Sequence, residues 1–455
     1  MKINNAIFRA YDIRGIYGKD LNEDVAEAIG KAFATYINGG EVVVGYDCRL
    51  SSESLRDALV RGLASAGCDV LDIGMVPTPV LYFTIFHYKK DGGIMITGSH
   101  NPPEYNGFKL CKGTHTLYGE EIQELKRLIE HGKFSKGHGN VRKINVIQEY
   151  IDYVKSKVSI KRPMKIVIDS GNGTAGIVAR NLFKELGCEV ECLYCDPDGR
   201  FPNHIADPTI DATLTDLIDK VKKIEADLGV AYDGDADRVG FVDDRGRIIR
   251  GDQALILFSK ELLKRIKGAK IIFEVKCSQA VSEEIAASGG VPIMYRTGHS
   301  FIKKKMKEEN ALLAGEMSGH FFFADNYYGY DDAIFASARM LEILSNQEKR
   351  LSQLIDELPK YYSTPEIRLK CGENEKFQIV EKVKEAFSKE YDIIDVDGAR
   401  IQFENGWALI RASNTEPAII LRFEAKNEKA LEEIKNKIKN ELKRFASLKD
   451  KLDSF

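Results

Sequence analysis

Three times this sequence runs an apolar, β-branched stretch into a polar or glycine-bearing turn and then into a helical pattern. The stretches are Val42-Val43-Val44-Gly45-Tyr46-Asp47 before a helix expected over 51–65, Lys165-Ile166-Val167-Ile168-Asp169 before 171–186, and Lys270-Ile271-Ile272-Phe273-Glu274 before 278–288. A second short strand follows each helix soon after a glycine, at Asp69-Val70-Leu71, Glu189-Val190-Glu191 and Val291-Pro292-Ile293. Strand, helix, strand in that order demands parallel strands with covering helices, and its recurrence predicts three domains of one α/β architecture. The final stretch breaks the cadence. A helix at 377–387, strands at 399–403, 407–412 and 418–425, and a charged helix from 428 to about 448 predict a smaller α+β domain. That charged helix reads as a solvated face.

A chain of 455 residues exceeds what one core can fill, which agrees with several units. Divisions near 150, 255 and 365 give units 1–150, 151–255, 256–365 and 366–455. Lys plus Arg number 66 against 69 Asp plus Glu, so no global field favours nucleic acid or an anionic membrane, and any anion site must be local. Met1 to Arg14 lack the apolar core of a secretory signal, and no run of about 18 apolar residues occurs. The expected location is the cytoplasm. Eight scattered cysteines do not make a disulfide framework. Cys188, Cys192 and Cys195, with His204 downstream, lack a fourth ligand at zinc-like spacing and are expected to be buried or half-buried thiols.

Four segments carry chemistry. In Thr97-Gly98-Ser99-His100-Asn101-Pro102-Pro103 a strand ends in a proline-stopped loop that can expose a hydroxyl beside an imidazole, although the same residues also make ordinary turns. In Asp233-Gly234-Asp235-Ala236-Asp237-Arg238 three carboxylates follow a buried strand, and their repulsion calls for a cation; hard oxygen ligands suit Mg²⁺. Arg238 stands where a calcium loop needs glycine, which argues against that template. An aspartyl-phosphate enzyme, with the first carboxylate as nucleophile, is the sharper rival. Gly315-Glu316-Met317-Ser318-Gly319-His320 offers groups that pair with sugar hydroxyls. Arg411-Ala412-Ser413-Asn414-Thr415-Glu416-Pro417 lies between two strands and combines a guanidinium fork with neutral donors, as a phosphate cradle does. Tyr11, Arg14 and Lys109 add hydroxyl and basic groups.

Together, in this order, these motifs resemble the α-D-phosphohexomutase family, the phosphomannomutase and phosphoglucomutase enzymes, and the resemblance runs from Tyr11 to Pro417. It implies four domains around a central cleft, each contributing a loop. Ser99 is then the phosphoserine, and Asp233, Asp235 and Asp237, with the serine phosphate, hold one Mg²⁺ per chain. Glu316 and Ser318 read sugar hydroxyls, Arg411, Ser413, Asn414 and Thr415 hold the phosphate that is not moving, and Tyr11, Arg238, His299 and His320 also contact substrate. Arg14, Lys109 and Arg238 neutralise charge around the moving group, and His100, Lys109 or His320 exchanges the proton. The implied substrates are hexose phosphates, with glucose 1,6-bisphosphate or mannose 1,6-bisphosphate as intermediate and activator. Glycine at 98, where relatives commonly have alanine, is expected to loosen the loop slightly. A phosphoglucosamine mutase is the runner-up; a metal-dependent sugar phosphatase or a non-catalytic sugar-phosphate regulator stands further off.

Overall fold

The computed structural model describes residues 3–413 and 417–454. Its four sheets follow one another along the chain. The first has seven strands, and at its centre Gly40–Tyr46 runs parallel to both Cys68–Met75 and Gly92–Ile96. Tyr105–Lys112 turns back antiparallel to Gly92–Ile96, and Ile13–Ile16 closes that side. Alternation along the central strand sorts its side chains between two layers. Val42 and Val44 join Ile94 and Ile96 in one apolar cluster, while Val43 and Met95 enter another.

The second sheet, of five strands, pairs Lys165–Asp169 with Glu189–Leu193 and Leu228–Tyr232, all parallel, and adds Val239–Val242 antiparallel. The third, of four strands, places Lys270–Glu274 parallel to Val291–Tyr295 and Leu313–Gly315 and ends on antiparallel Phe321–Phe323. Pro292 is tolerated because its strand lies at the sheet edge. Each parallel core with an antiparallel edge is a mixed sheet, so three α/β domains of one plan precede a different fourth.

That fourth domain is a six-stranded antiparallel sheet covered by the helices Glu375–Phe387 and Glu428–Leu442. The strand Tyr362–Ser363 already pairs with Ala418–Ala425 in this sheet. The helix Glu428–Leu442 differs from the solvated face expected of it. Ala430, Ile434, Ile438 and Leu442 recur every fourth residue and are buried in the domain's core, while the charges occupy the other side. The segment expected as one helix over 171–186 is also different. Asn172 and Gly171 adopt positive φ, a 3-10 turn occupies Thr174–Ile177, and the α-helix is confined to Ala179–Glu185.

Two features set where the domains meet. Residues from Val43 to Leu358 form one apolar cluster that runs through the first three domains, whereas the fourth has a core of its own. The fourth is attached through Arg400, which is fully buried, stacks its guanidinium 3.8 Å from the Trp407 ring centre, and donates to the carbonyls of Val275 and Cys277. Trp407 in turn donates to Glu424 at 2.9 Å. No described helix is long and apolar enough to cross a membrane.

Candidate active site

The ends of the parallel strands carry the polar loops, as open α/β sheets require of a ligand crevice. Gly92–Ile96 feeds the loop of Ser99, Leu228–Tyr232 the three aspartates, and Leu313–Gly315 the loop of Glu316 and His320. These loops and the turn after Gly406–Ala412 line one cleft of about 820 Å³, within the range of small-molecule sites.

Ser99 is nearly buried and has φ of +49°, a left-handed conformation that L-residues adopt at a cost of about 1 kcal/mol. Its Oγ donates to Asp233 Oδ2 at 2.7 Å and lies 3.1 Å from His100 Nδ1. Burial lowers the His100 imidazole well below its usual range, and Arg238 and Arg14 push it the same way. Arg14 is itself paired with Asp12 at 2.6 Å and donates to Asn101.

Asp233, Asp235 and Asp237 are all buried, and one oxygen from each lies within 4.8 Å of the others. Burial, together with repulsion from Asp235 and Asp237, holds the Asp233 carboxyl well above the usual carboxylate range. Lys109 bonds both Asp235 (2.6 Å) and Asp237, and although burial opposes its charge, those carboxylates raise its pKa. Asp235 Oδ1 has no hydrogen-bond partner, and Asp237 Oδ1 is approached only by His320 Nε2 at 3.3 Å. Buried carboxylate oxygens left in this condition are the donor set of a hard divalent cation.

His320 bridges the metal-type loop and the sugar-type loop. Its Nδ1 is 3.1 Å from Glu316 and 2.9 Å from Ser318 Oγ. Burial alone would lower its pKa, but the Asp237 and Glu316 carboxylates outweigh burial and push it up to about 9. Glu316 also accepts from the Gly298 amide at 2.6 Å, just before His299 starts a helix. Tyr11 lies edge-on to His299, with ring centres 5.4 Å apart, so both stand at the cleft wall. Arg238, half-buried beside Asp233, lines the same wall.

From the fourth domain, Arg411 and Ser413 reach the cleft, and Arg411 pairs with Asp397 at 3.1 Å. Asn414 and Thr415 lie outside the described residues. Every other candidate named from the sequence falls in or directly around this one cleft. The structure also brings in residues the sequence reading passed over. Lys276 lines the cleft between Glu274 and Glu366, and Arg368 and Arg422 line it from the fourth sheet. Buried Glu274 accepts from Thr297 Oγ1 (2.6 Å) and the Met317 amide (3.1 Å), which fixes the sugar-type loop. A carboxylate ending a parallel strand was the signal available for it.

The comparisons with known proteins agree with this geometry. Sequence profiles of the phosphoglucomutase/phosphomannomutase family match in order: alpha/beta/alpha domain I over residues 5–136, domain II over 148–246, domain III over 250–362 and the C-terminal domain over 366–441. A phosphomannomutase/phosphoglucomutase of Pseudomonas aeruginosa is 47% identical over 442 residues, 96% of each chain. A phosphoglucomutase of Neisseria meningitidis is 46% identical over 441 residues, 95% of this chain and 96% of that one. A solved structure of a phosphoglucomutase/phosphomannomutase family protein from Burkholderia thailandensis superposes with a TM-score of 0.93 at 42% identity, covering 97% of this chain and 98% of that one. An Aspergillus fumigatus N-acetylphosphoglucosamine mutase, at 14% identity and a TM-score of 0.60 over 97% of this chain and 96% of that one, shares the fold alone; the amino-sugar alternative is not favoured, because the relatives at 46–47% identity are a phosphoglucomutase and a phosphomannomutase/phosphoglucomutase. With four domains, their loops and full-length relatives in agreement, the chain belongs to the α-D-phosphohexomutase family, the phosphoglucomutases and phosphomannomutases.

Proposed function

We propose that the protein interconverts the 1-phosphates and 6-phosphates of glucose and mannose through a phosphorylated Ser99 and a hexose 1,6-bisphosphate. The observation that carries this is the placement of a left-handed, nearly buried serine with its Oγ 2.7 Å from the carboxylate triad, in a cleft whose far wall carries arginines. Asp233, Asp235 and Asp237, with the Ser99 phosphate, would hold one Mg²⁺, and the unpartnered oxygens of Asp235 and Asp237 support that choice. Bound there, the ion would neutralise charge on the phosphoryl group in flight. We assign the units near 1–150, 151–255, 256–365 and 366–455 one loop each in this work.

The chain's own groups do the rest. Arg411 and Ser413, with Asn414 and Thr415, grip the phosphate that stays, while Glu316, Ser318, Tyr11 and His299 orient the sugar hydroxyls. The free hydroxyl attacks the phosphorus of phospho-Ser99; the bond from Ser99 Oγ to phosphorus breaks, and the hydroxyl proton passes to His100, whose imidazole burial keeps neutral beside Ser99 Oγ. The bisphosphate then turns over in the cleft. Ser99 Oγ takes its other phosphoryl group, and His100 returns the proton to the departing sugar oxygen. Arg14, Lys109 and Arg238 surround the transfer with positive charge. A cradle that recognises phosphate rather than one ring carbon accommodates both orientations.

The test is to supply Mg²⁺, a trace of glucose 1,6-bisphosphate, and glucose 1-phosphate or mannose 1-phosphate in turn. Formation of both 6-phosphates is expected; release of inorganic phosphate without isomerisation would overturn the proposal. Replacing Arg411 with alanine is expected to raise KM roughly 10- to 150-fold with a smaller change in kcat. That corresponds to the ~1.5 to 3 kcal/mol of a hydrogen bond to a charged group. Steady-state kinetics on the 1-phosphates check it.

A further inference from the structure

Beside Gly98 the space that a methyl would take is occupied. A Cβ there would stand 2.3 Å from Nε and 2.4 Å from Cζ of Arg49. Gly98 is not among the residues with positive φ, so what a methyl would meet there is Arg49 and the Tyr105 carbonyl, 2.8 Å away, rather than backbone strain.

Arg49 is fully buried, and its five N–H donors are all engaged. Nε donates to Asp47 Oδ2 at 3.1 Å, Nη1 to the carbonyls of Pro102 (2.5 Å) and Tyr105 (2.9 Å), and Nη2 to those of Ser99 (2.9 Å) and Asn101 (2.5 Å). The same Asp47 oxygen accepts from the Gly98 amide at 3.0 Å, which closes the set on the loop. From the second domain, the Phe201 ring lies 5.1 Å from the guanidinium carbon, and a Cβ on Gly199 would come within 2.6 Å of Arg49 Cα. One side chain thus holds the carbonyl of the strained serine and is itself covered by the domain that carries the three aspartates.

We infer that Arg49 is a positioning residue for phosphoryl transfer: seated where Gly98 lacks a methyl, its guanidinium fixes the left-handed Ser99 turn so that Oγ faces Asp233. Phe201 couples that turn to the aspartate-bearing domain. The inference rests on Ser99 as the phosphoryl carrier. Lysine cannot replace the fork, since one ammonium cannot span four carbonyls and a carboxylate.

A double-mutant cycle tests this with G98A, R49A and G98A/R49A, measuring kcat, KM and melting temperature, with the wild type and S99A as controls. Each single substitution is expected to lower kcat about 10- to 100-fold, the scale of a small misplacement of reacting atoms, with KM changed less than about twofold. The methyl should cost less in the R49A background than in the wild type, because only its contact with the Tyr105 carbonyl, 2.8 Å away, then remains. Losses that multiply, or that follow the unfolded fraction, would overturn the inference. If R49A does not fold, R49K and R49K/G98A replace it in the cycle and F201A supplies a second site, with a kcat-selective loss again expected. A silent wild type or an active S99A would instead refute the phosphoserine reading, which separates the two failures.

Discussion

Replacing Ser99 with alanine is expected to reduce mutase turnover by roughly 10,000-fold or more, the scale of removing a nucleophile outright. Binding should survive, because the groups proposed to grip the sugar phosphate, from Glu316 and Ser318 to Arg411, line the cleft from other domains than the serine. Alanine also meets the left-handed backbone of residue 99 with no more strain than serine, so the fold has no reason to change. Turnover by coupled assay and binding by calorimetry separate the two effects. A rate unchanged from wild type would end the phosphoserine mechanism.

Asp235→Asn is expected to cost on the order of 100- to 1,000-fold in kcat, the range for losing one pre-organised electrostatic group. It should also weaken Mg²⁺ binding measured directly on the protein. Asp235 is fully buried, with one oxygen held by Thr78 Oγ1 at 2.5 Å and by Lys109, and the other unpartnered. Asparagine keeps the shape but removes the charge, and it puts an NH₂ beside the Lys109 ammonium or in the cation's place. Full activity of the wild type in excess chelator would refute the metal assignment.

The architecture was legible where local and tertiary forces agree. Strands such as Val42–Val44 and Ile166–Ile168 are buried on both faces, so they read as continuous apolar runs ending in polar loops. The site loops were legible for the same reason, since a hydroxyl, a carboxylate triad or a guanidinium just past a buried strand has little structural excuse. What stayed hidden were groups whose meaning arises only on closure. Arg49 sits in Asp47-Cys48-Arg49, which looks like any turn, and only the return of the chain at 98–105 and 199–201 gives it four carbonyls and an aromatic cover. Lys276 and Arg422 likewise have no periodic signature. The helix expected over 171–186 starts late because Gly171 and Asn172 both adopt positive φ, which the apolar spacing of that segment does not signal.

The apolar cluster shared by the first three domains constrains synthesis as well as stability. Its members extend from Val43 to Leu358, so a chain emerging from the ribosome cannot finish burying them until about four-fifths of it has been made. The last domain then closes its own core and docks through Arg400 and Trp407. The nascent protein therefore completes its serine and aspartate loops before Arg411 and Ser413 can close the cleft from the fourth domain.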